Sequence, residues 1–204
     1  MIVPHLLNTS KIALGSVQFG INYGVSNKIG RTHENEAKEI LEYAYKQGIN
    51  TLDTAPSYGN SESIIGKSID SENWEVVTKT PYFKVDVIDS KQVDYLFKHF
   101  KSSQNKLKTK CIYGLLIHEC NDLFSPGGER LLGAMEELKK DGFVKKIGVS
   151  IYNGKQVGKL LDKYSIDLIQ LPVNILDQRL VNGGQLTKLK EYNVEVHARS
   201  AFLQ

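Results

Sequence analysis

Four side chains in this 204-residue sequence could together carry proton-transfer chemistry: Asp53, Tyr58, Lys79 and His118. Asp53 opens the stretch Asp53-Thr54-Ala55-Pro56-Ser57-Tyr58-Gly59, Lys79 closes the run Val76-Val77-Thr78, and His118 closes Leu115-Leu116-Ile117. Each alone reads as easily as a structural residue: an aspartate satisfying loop donors, a loop tyrosine, a hydrogen-bonded core histidine. Together they form a chemically coherent set. A lysine at the end of an apolar strand is costly to bury without an anion, and Asp53 can supply one. A free phenol titrates at about 10, too high for efficient exchange at neutral pH, and a lysine cation beside Tyr58 is expected to lower that value. An imidazole N–H from His118 can orient and polarise a carbonyl oxygen. No Ser or Cys stands beside a histidine in a nucleophile elbow. The chemistry these residues suit is proton transfer coupled to redox at a carbonyl.

Holding four such groups together requires strands that end near one another. The apolar runs predict strands over Ile12–Phe19, Asn50–Thr54, Glu75–Thr80, Ile112–His118, Lys146–Ser150, Leu168–Leu171 and Val194–Ser200. Amphipathic stretches between them predict helices. One is capped by Thr32, buries Ala37, Ile40, Leu41 and Ala44 and ends at Gly48; others span Glu62–Ile69, Ser90 to about Asn105, Gly128–Lys140, Gly154–Tyr164 and Gly184–Tyr192. Strands alternating with helices imply parallel βαβ units. An open doubly wound sheet would show a GxGxxG turn directly after its first strand, whereas Gly15, Gly20 and Gly24 are spaced otherwise. Polar residues instead end strand after strand: Asp53, Lys79, His118, Ser150, Gln170 and Ser200. That pattern belongs to a (β/α)8 TIM barrel, whose chemistry sits at the C-terminal ends of many strands.

Taken in order, these stretches resemble the aldo-keto reductase family. The matching segments are Leu14-Gly15-Ser16 through Phe19-Gly20, Asn50 to Gly59, Val76 to Lys79, Leu116-Ile117-His118, Ile147 to Ser150 and Ile169-Gln170. The resemblance implies a (β/α)8 barrel that reduces aldehydes or ketones with NADPH, or with NADH. It places Tyr58 as proton donor, Asp53 and Lys79 as the pair that tunes it, and His118 as the residue that orients the carbonyl. It places Ser150 and Gln170 at the nicotinamide carboxamide; Arg199, followed by Ser200, stands where the family often has a stacking aromatic residue, and its guanidinium plane can stack on the ring in that residue's place. Ile151 stands where the family commonly has Asn, and Arg199-Ser200-Ala201-Phe202 replaces an aromatic residue followed by Ser-Pro-Leu. The segment from Gln170 through Asp177-Gln178-Arg179 resembles a bacterial branch associated with surface-polysaccharide pathways. Asn22-Tyr23 and Tyr82-Phe83 are candidates for substrate selection or for closing the rim, and Asn153 and Asn174 lie on rim loops.

The strand-end landmarks give seven βα strands at roughly 30 residues per unit, so a single domain over residues 1–204 is expected to be a barrel lacking its eighth unit. The family's grip on the adenosine phosphates falls largely in that eighth unit, and the unclosed strands offer edges for self-association. Two other readings fit parts of the pattern: a non-catalytic barrel that binds a nucleotide or a partner, and a Schiff-base lyase or aldolase using Lys79. The company of Asp53, Tyr58 and His118 argues against the second. A net charge of +3 argues against a nucleic-acid or membrane partner. Cys111 and Cys120 show no metal or disulfide spacing, and no signal segment is visible, so a small-molecule enzyme of the cytoplasm without bound metal is expected.

Overall fold

Continuous apolar runs form strands here because a parallel sheet covered by helices buries both of its faces. In the computed structural model, which describes residues 11–202, seven such strands lie parallel and in sequence order. They are β1 (Ala13–Gly15), β2 (Thr51–Asp53), β3 (Glu75–Lys79), β4 (Ile112–Ile117), β5 (Val144–Ser150), β6 (Leu168–Pro172) and β7 (Glu195–Arg199). The helices are α1 (Val17–Gly20), α2 (Glu34–Lys46), α3 (Ser61–Ser68), α4 (Ser90–Leu107), α5 (Glu129–Lys140), α6 (Gly154–Lys163), α7 (Arg179–Asn182) and α8 (Gln185–Glu191). The first ten and last two residues of the expected 1–204 unit lie outside the described residues.

The sheet curls strongly. Gln170 on β6 bonds Asp53 on β2 at 2.7 Å, although four strand spacings in a flat sheet would separate them by about 19 Å. Val77, Leu116 and Leu168, with Tyr113 against them, fill the inside of the curve. The larger core lies between the sheet and its helices and includes Leu41, Leu52, Ile65, Leu107, Leu115, Met135, Val149 and Leu160. β7 is unusual in turning Glu195, His197 and Arg199 to the partly buried side while Val196 and Ala198 are exposed. Inside the curve Glu195 accepts hydrogen bonds from Tyr113 at 2.9 Å and from Lys146, and lies 2.7 Å from His197 Nε2. Among the described residues, β1 and β7 each pair on one side only.

Several boundaries differ from the expectations. The first apolar run breaks after Gly15, because Phe19 N turns back to Ser16 O at 3.0 Å and Val17–Gly20 winds into a helical turn that buries Phe19. The next helix begins at Glu34 with His33 at its N-cap, not Thr32; the Thr32 backbone N–H is committed to Gln18 O at 2.9 Å. The predicted face of that helix holds at Ala37, Leu41 and Ala44, which are buried, while Ile40 is only half-buried against the core, and Gly48 follows the helix at φ +82°. The 3₁₀ turns Ser71–Asn73 and Cys120–Leu123, and the single turn of α7, carried no periodic signal. No helix among the described residues is long and apolar enough to cross a membrane.

Candidate active site

All seven strands bring their C-terminal ends to one cavity of about 480 Å³, and all eight candidate residues line it: Asp53, Tyr58, Lys79, His118, Ser150, Gln170, Arg199 and Ser200. A more open groove of about 650 Å³ beside Asp167, Tyr192 and Glu195 lies at the opposite ends of the strands, away from this cluster.

The loop that carries Tyr58 is fixed by backbone and hydroxyl contacts. The Ser16 N–H and hydroxyl both donate to Asp53 O, at 3.0 and 2.8 Å. The Ser61 hydroxyl, at the start of α3, lies 2.9 Å from Ser16 O and 3.2 Å from the Thr54 hydroxyl. Tyr58 then sits in a tight turn, its N–H on Ala55 O at 3.0 Å and its carbonyl accepting from Ser61 N at 3.1 Å. Gly59 continues the turn at φ +59°, a region where glycine pays no Cβ penalty. The neighbouring α1 turn packs so closely that a Cβ on Gly20 would lie 1.5 Å from Tyr58 O.

Lys79 is buried and fully partnered. Its Nζ donates to Asp53 Oδ1 at 2.6 Å, to Thr54 O at 2.9 Å and to the Tyr58 hydroxyl at 3.5 Å, matching the three N–H donors of an ammonium. The pairing of Lys79 with Asp53 is as expected. The expected lowering of the Tyr58 phenol is not found: burial, then the Asp53 carboxylate, hold it well above the usual tyrosine value. Burial disfavours the charged phenolate, and the Lys79 charge is met first by Asp53 at 2.6 Å while the phenol stands at 3.5 Å.

His118 faces Tyr58 edge-on, with ring centroids 6.4 Å apart. Burial, with the Lys79 charge, lowers its imidazole to about 4, so it is neutral at neutral pH. Its Nδ1 is buried with no partner among the described residues, while Nε2 lies 2.9 Å from the Tyr82 hydroxyl. Burial and the nearby Tyr152 phenol push the Tyr82 phenol up to about 12.

Gln170 donates to Asp53 Oδ1 at 2.7 Å, a partner the sequence did not suggest. Ser150 is buried on the adjoining strand in register with Gln170. Arg199 stacks its guanidinium over the Tyr152 ring at 4.5 Å and donates to Ile151 O at 3.1 Å, so one of its two faces lies on a tyrosine of this chain. Ser200 follows in the left-handed region at φ +57°. Of the rim residues, Tyr23 and Tyr82 line the cavity, while Phe83 is buried in the core, which divides the two roles left open for these aromatics. Asn153 caps α6 through a reciprocal box with Gln156, and Asn174 holds the backbone of its own loop at Leu176 and Asp177. Tyr152 and His197 also line the cavity and were missed. The polar alternation of Glu195, His197 and Arg199 on an otherwise apolar-patterned parallel sheet was the signal available for His197.

Comparison with known proteins finds relatives in sequence and in fold. The chain is 27% identical over 201 residues to an uncharacterized oxidoreductase, YqkF, of Bacillus subtilis (strain 168), covering 95% of this chain and 61% of that protein. It is 29% identical over 162 residues to the NADH-specific methylglyoxal reductase of Escherichia coli (strain K12), covering 70% of this chain and 49% of that protein. The chain thus spans about three-fifths of the first relative and about half of the second. The holo form of an aldo-keto reductase from Bacillus halodurans shares the fold with a TM-score of 0.73 at 23% identity, over 93% of this chain and 61% of that one. So does a Bombyx mori aldo-keto reductase in complex with NADP, with a TM-score of 0.68 at 21% identity, over 93% and 62% of the two chains. Residues 11–204 match the sequence profile described as Aldo/keto reductase family, and the chain belongs to that family.

Proposed function

We propose that this cavity is the reaction centre of an NAD(P)H-dependent reduction of an aldehyde or ketone to an alcohol. The observation that carries the reading is the contact of a buried lysine with the Tyr58 hydroxyl at 3.5 Å, opposite a neutral His118 and inside one cavity. A phenol held above its usual value stays protonated at neutral pH and can act as a donor. Tyr58 gives its proton to the carbonyl oxygen. Lys79 shares an N–H with the phenolate oxygen left behind, and Asp53 keeps that ammonium in place. His118 donates from Nε2 to the same carbonyl oxygen and orients it. Lys79 has no free lone pair in this arrangement, which weighs against Schiff-base chemistry.

Ser150, Gln170, Arg199 and Ser200 are the residues proposed to hold the nicotinamide end of the cofactor. A buried hydroxyl, a primary amide and a guanidinium lining one wall suit a neutral carboxamide and its ring. When bound there, a reduced nicotinamide supplies hydride to the carbonyl carbon. Names that specify NADH for one relative and NADP for one structure support this cofactor class without separating the two forms. The edges of β1 and β7, each unpaired on one side among the described residues, support a second, narrower proposal, that copies of the chain associate through them; sedimentation that shows one concentration-independent monomer would reject it.

Tyr58→Phe tests the main reading. Carbonyl reduction should fall by about 10²- to 10⁴-fold, while titrated NADPH still quenches intrinsic fluorescence as in the unaltered chain. Turnover retained in Tyr58→Phe would reject the assigned proton donor.

A further inference from the structure

His118 offers only one nitrogen to the cavity, because Nδ1 is buried away from it. That nitrogen is already taken. The Tyr82 hydroxyl lies 2.9 Å from Nε2, and the two rings stack with centroids 4.2 Å apart and planes inclined by 26°. Tyr82 belongs to the irregular segment between β3 and α4, yet its backbone is pinned on both sides. Pro81 and Phe83 are buried, Phe83 sits in the core, and further along Ile88 N bonds Pro126 O at 2.8 Å. Tyr82 itself is 39% exposed. Its freedom is therefore rotation of the side chain about a fixed backbone, not movement of the loop. Next to it stands Tyr152, whose ring lies under the Arg199 guanidinium.

We propose that Tyr82 is a gate on His118: in the free protein its hydroxyl occupies the imidazole nitrogen that the substrate carbonyl needs, and the carbonyl binds by exchanging with it. The exchange replaces one hydrogen bond by another at the same atom, so the protein gives up the Tyr82 contact, and its stacking, each time substrate enters. This rests on the reading above that His118 receives the carbonyl oxygen. It makes Tyr82 a residue that weakens substrate binding in the unaltered protein.

The test uses the chain labelled with ¹⁵N-histidine, whose five histidines give a spectrum in which His118 is identified by its loss in His118→Gln. Tyr82→Phe keeps the ring and removes only the hydroxyl, so it should move the His118 Nε2 resonance; Tyr152→Phe should move it less. With 4-nitrobenzaldehyde as the probe, the shift of that resonance gives a Kd, and Tyr82→Phe should tighten it by about threefold to tenfold, the range for relieving one competing hydrogen bond. In turnover, KM for the probe should fall by a similar factor with kcat retained. An unmoved Nε2 resonance in Tyr82→Phe overturns the contact directly. A moved resonance with unchanged or weaker probe affinity overturns the gate, as does a drop in kcat, which would assign Tyr82 to the reaction. If the probe leaves His118 untouched in both proteins while Tyr82→Phe still moves its resonance, the carbonyl reading has failed and takes the gate with it, with the Tyr82 contact itself intact.

Discussion

Gln170 Nε2 and Lys79 Nζ converge on the same oxygen of Asp53, Oδ1, at 2.7 and 2.6 Å. The donors come from β6 and β3 and the carboxylate from β2, so one side-chain atom records the curl of the whole sheet. It also fixes Asp53 from two directions, one charged and one neutral, and leaves it only 22% exposed. Gln170→Glu keeps the shape and replaces the neutral donor by a second carboxyl. Two carboxylates at that separation cannot both be ionised cheaply, so the folded-state pKa of the pair is raised. A raised carboxyl keeps its contribution below the unfolded value of about 4 and loses it as pH rises through the folded value. The variant should be within about 1 kcal/mol of the unaltered chain near pH 4 and about 1–3 kcal/mol less stable at pH 7. Urea denaturation at both pH values measures the difference, and a deficit that does not grow with pH would contradict the two-donor arrangement.

How legible all this was from the sequence depends on the range of each interaction. The strand ends were visible because burial on both faces makes a parallel strand an apolar run, and a polar residue closing it stands out: Asp53, Lys79, His118, Ser150 and Gln170 all line the cavity. Polar side chains at element termini were harder to assign. Thr32 has the right side chain for a cap, but its backbone is committed to Gln18, and His33 takes the N-cap of a helix that begins at Glu34. The partner of Gln170 lies 117 positions away, and no local pattern encodes that pairing. The Tyr58 phenol is raised where its lysine neighbour predicts a lowering, because burial, a property of the folded rim that no local spacing encodes, outweighs the cation, with the Asp53 carboxylate adding to it. Tyr152 sits on a loop, where no period marks it, and only the closure of the rim brings it beneath Arg199.

The buried neutral imidazole of His118 should make stability depend on pH. Its folded value is lowered to about 4, chiefly by burial. A histidine lowered in this way is fully stabilising above its unfolded value of about 6.5, and that contribution fades as pH falls toward 4, because the unfolded chain takes up the proton first. The loss reaches up to about 3 kcal/mol at the low end. Asp122, whose carboxyl is raised to about 6 chiefly by burial and then by Glu119, works in the opposite sense and loses its contribution as pH rises from about 4 through 6. The two partly cancel in the unaltered chain, so the measurement is the difference between variants. In His118→Gln the fall in stability between pH 6.5 and 4.5 should shrink, whereas in Asp122→Asn it should steepen. Parallel curves for all three proteins would show that neither group is buried as described.

The position of Tyr58 depends on a residue with no side chain. A Cβ at Gly20 would lie 1.5 Å from Tyr58 O and 2.8 Å from Ser61 N, both backbone atoms that no rotamer change can move aside. Gly59 meets the same interface from the other side, where its own Cβ would lie 2.6 Å from Gly20 O. Gly20→Ala must therefore push the α1 turn and the Tyr58 turn apart. That displaces the Tyr58 hydroxyl from Lys79 and loosens the Ser61 N–H bond to Tyr58 O. Overpacking of this kind costs about 1–3 kcal/mol, readable as a lower urea midpoint. A displacement of about 1 Å in a reacting group can cost about 100-fold in rate, so carbonyl reduction should fall by more than the unfolded fraction explains. Gly133→Ala is the control, since a Cβ there meets nothing within 4 Å on α5; it should keep the rate and raise stability by about 0.5–1 kcal/mol, the gain for replacing glycine inside a helix. If Gly20→Ala lowers stability but leaves kcat unchanged in the folded fraction, the α1 turn supports the fold without positioning Tyr58.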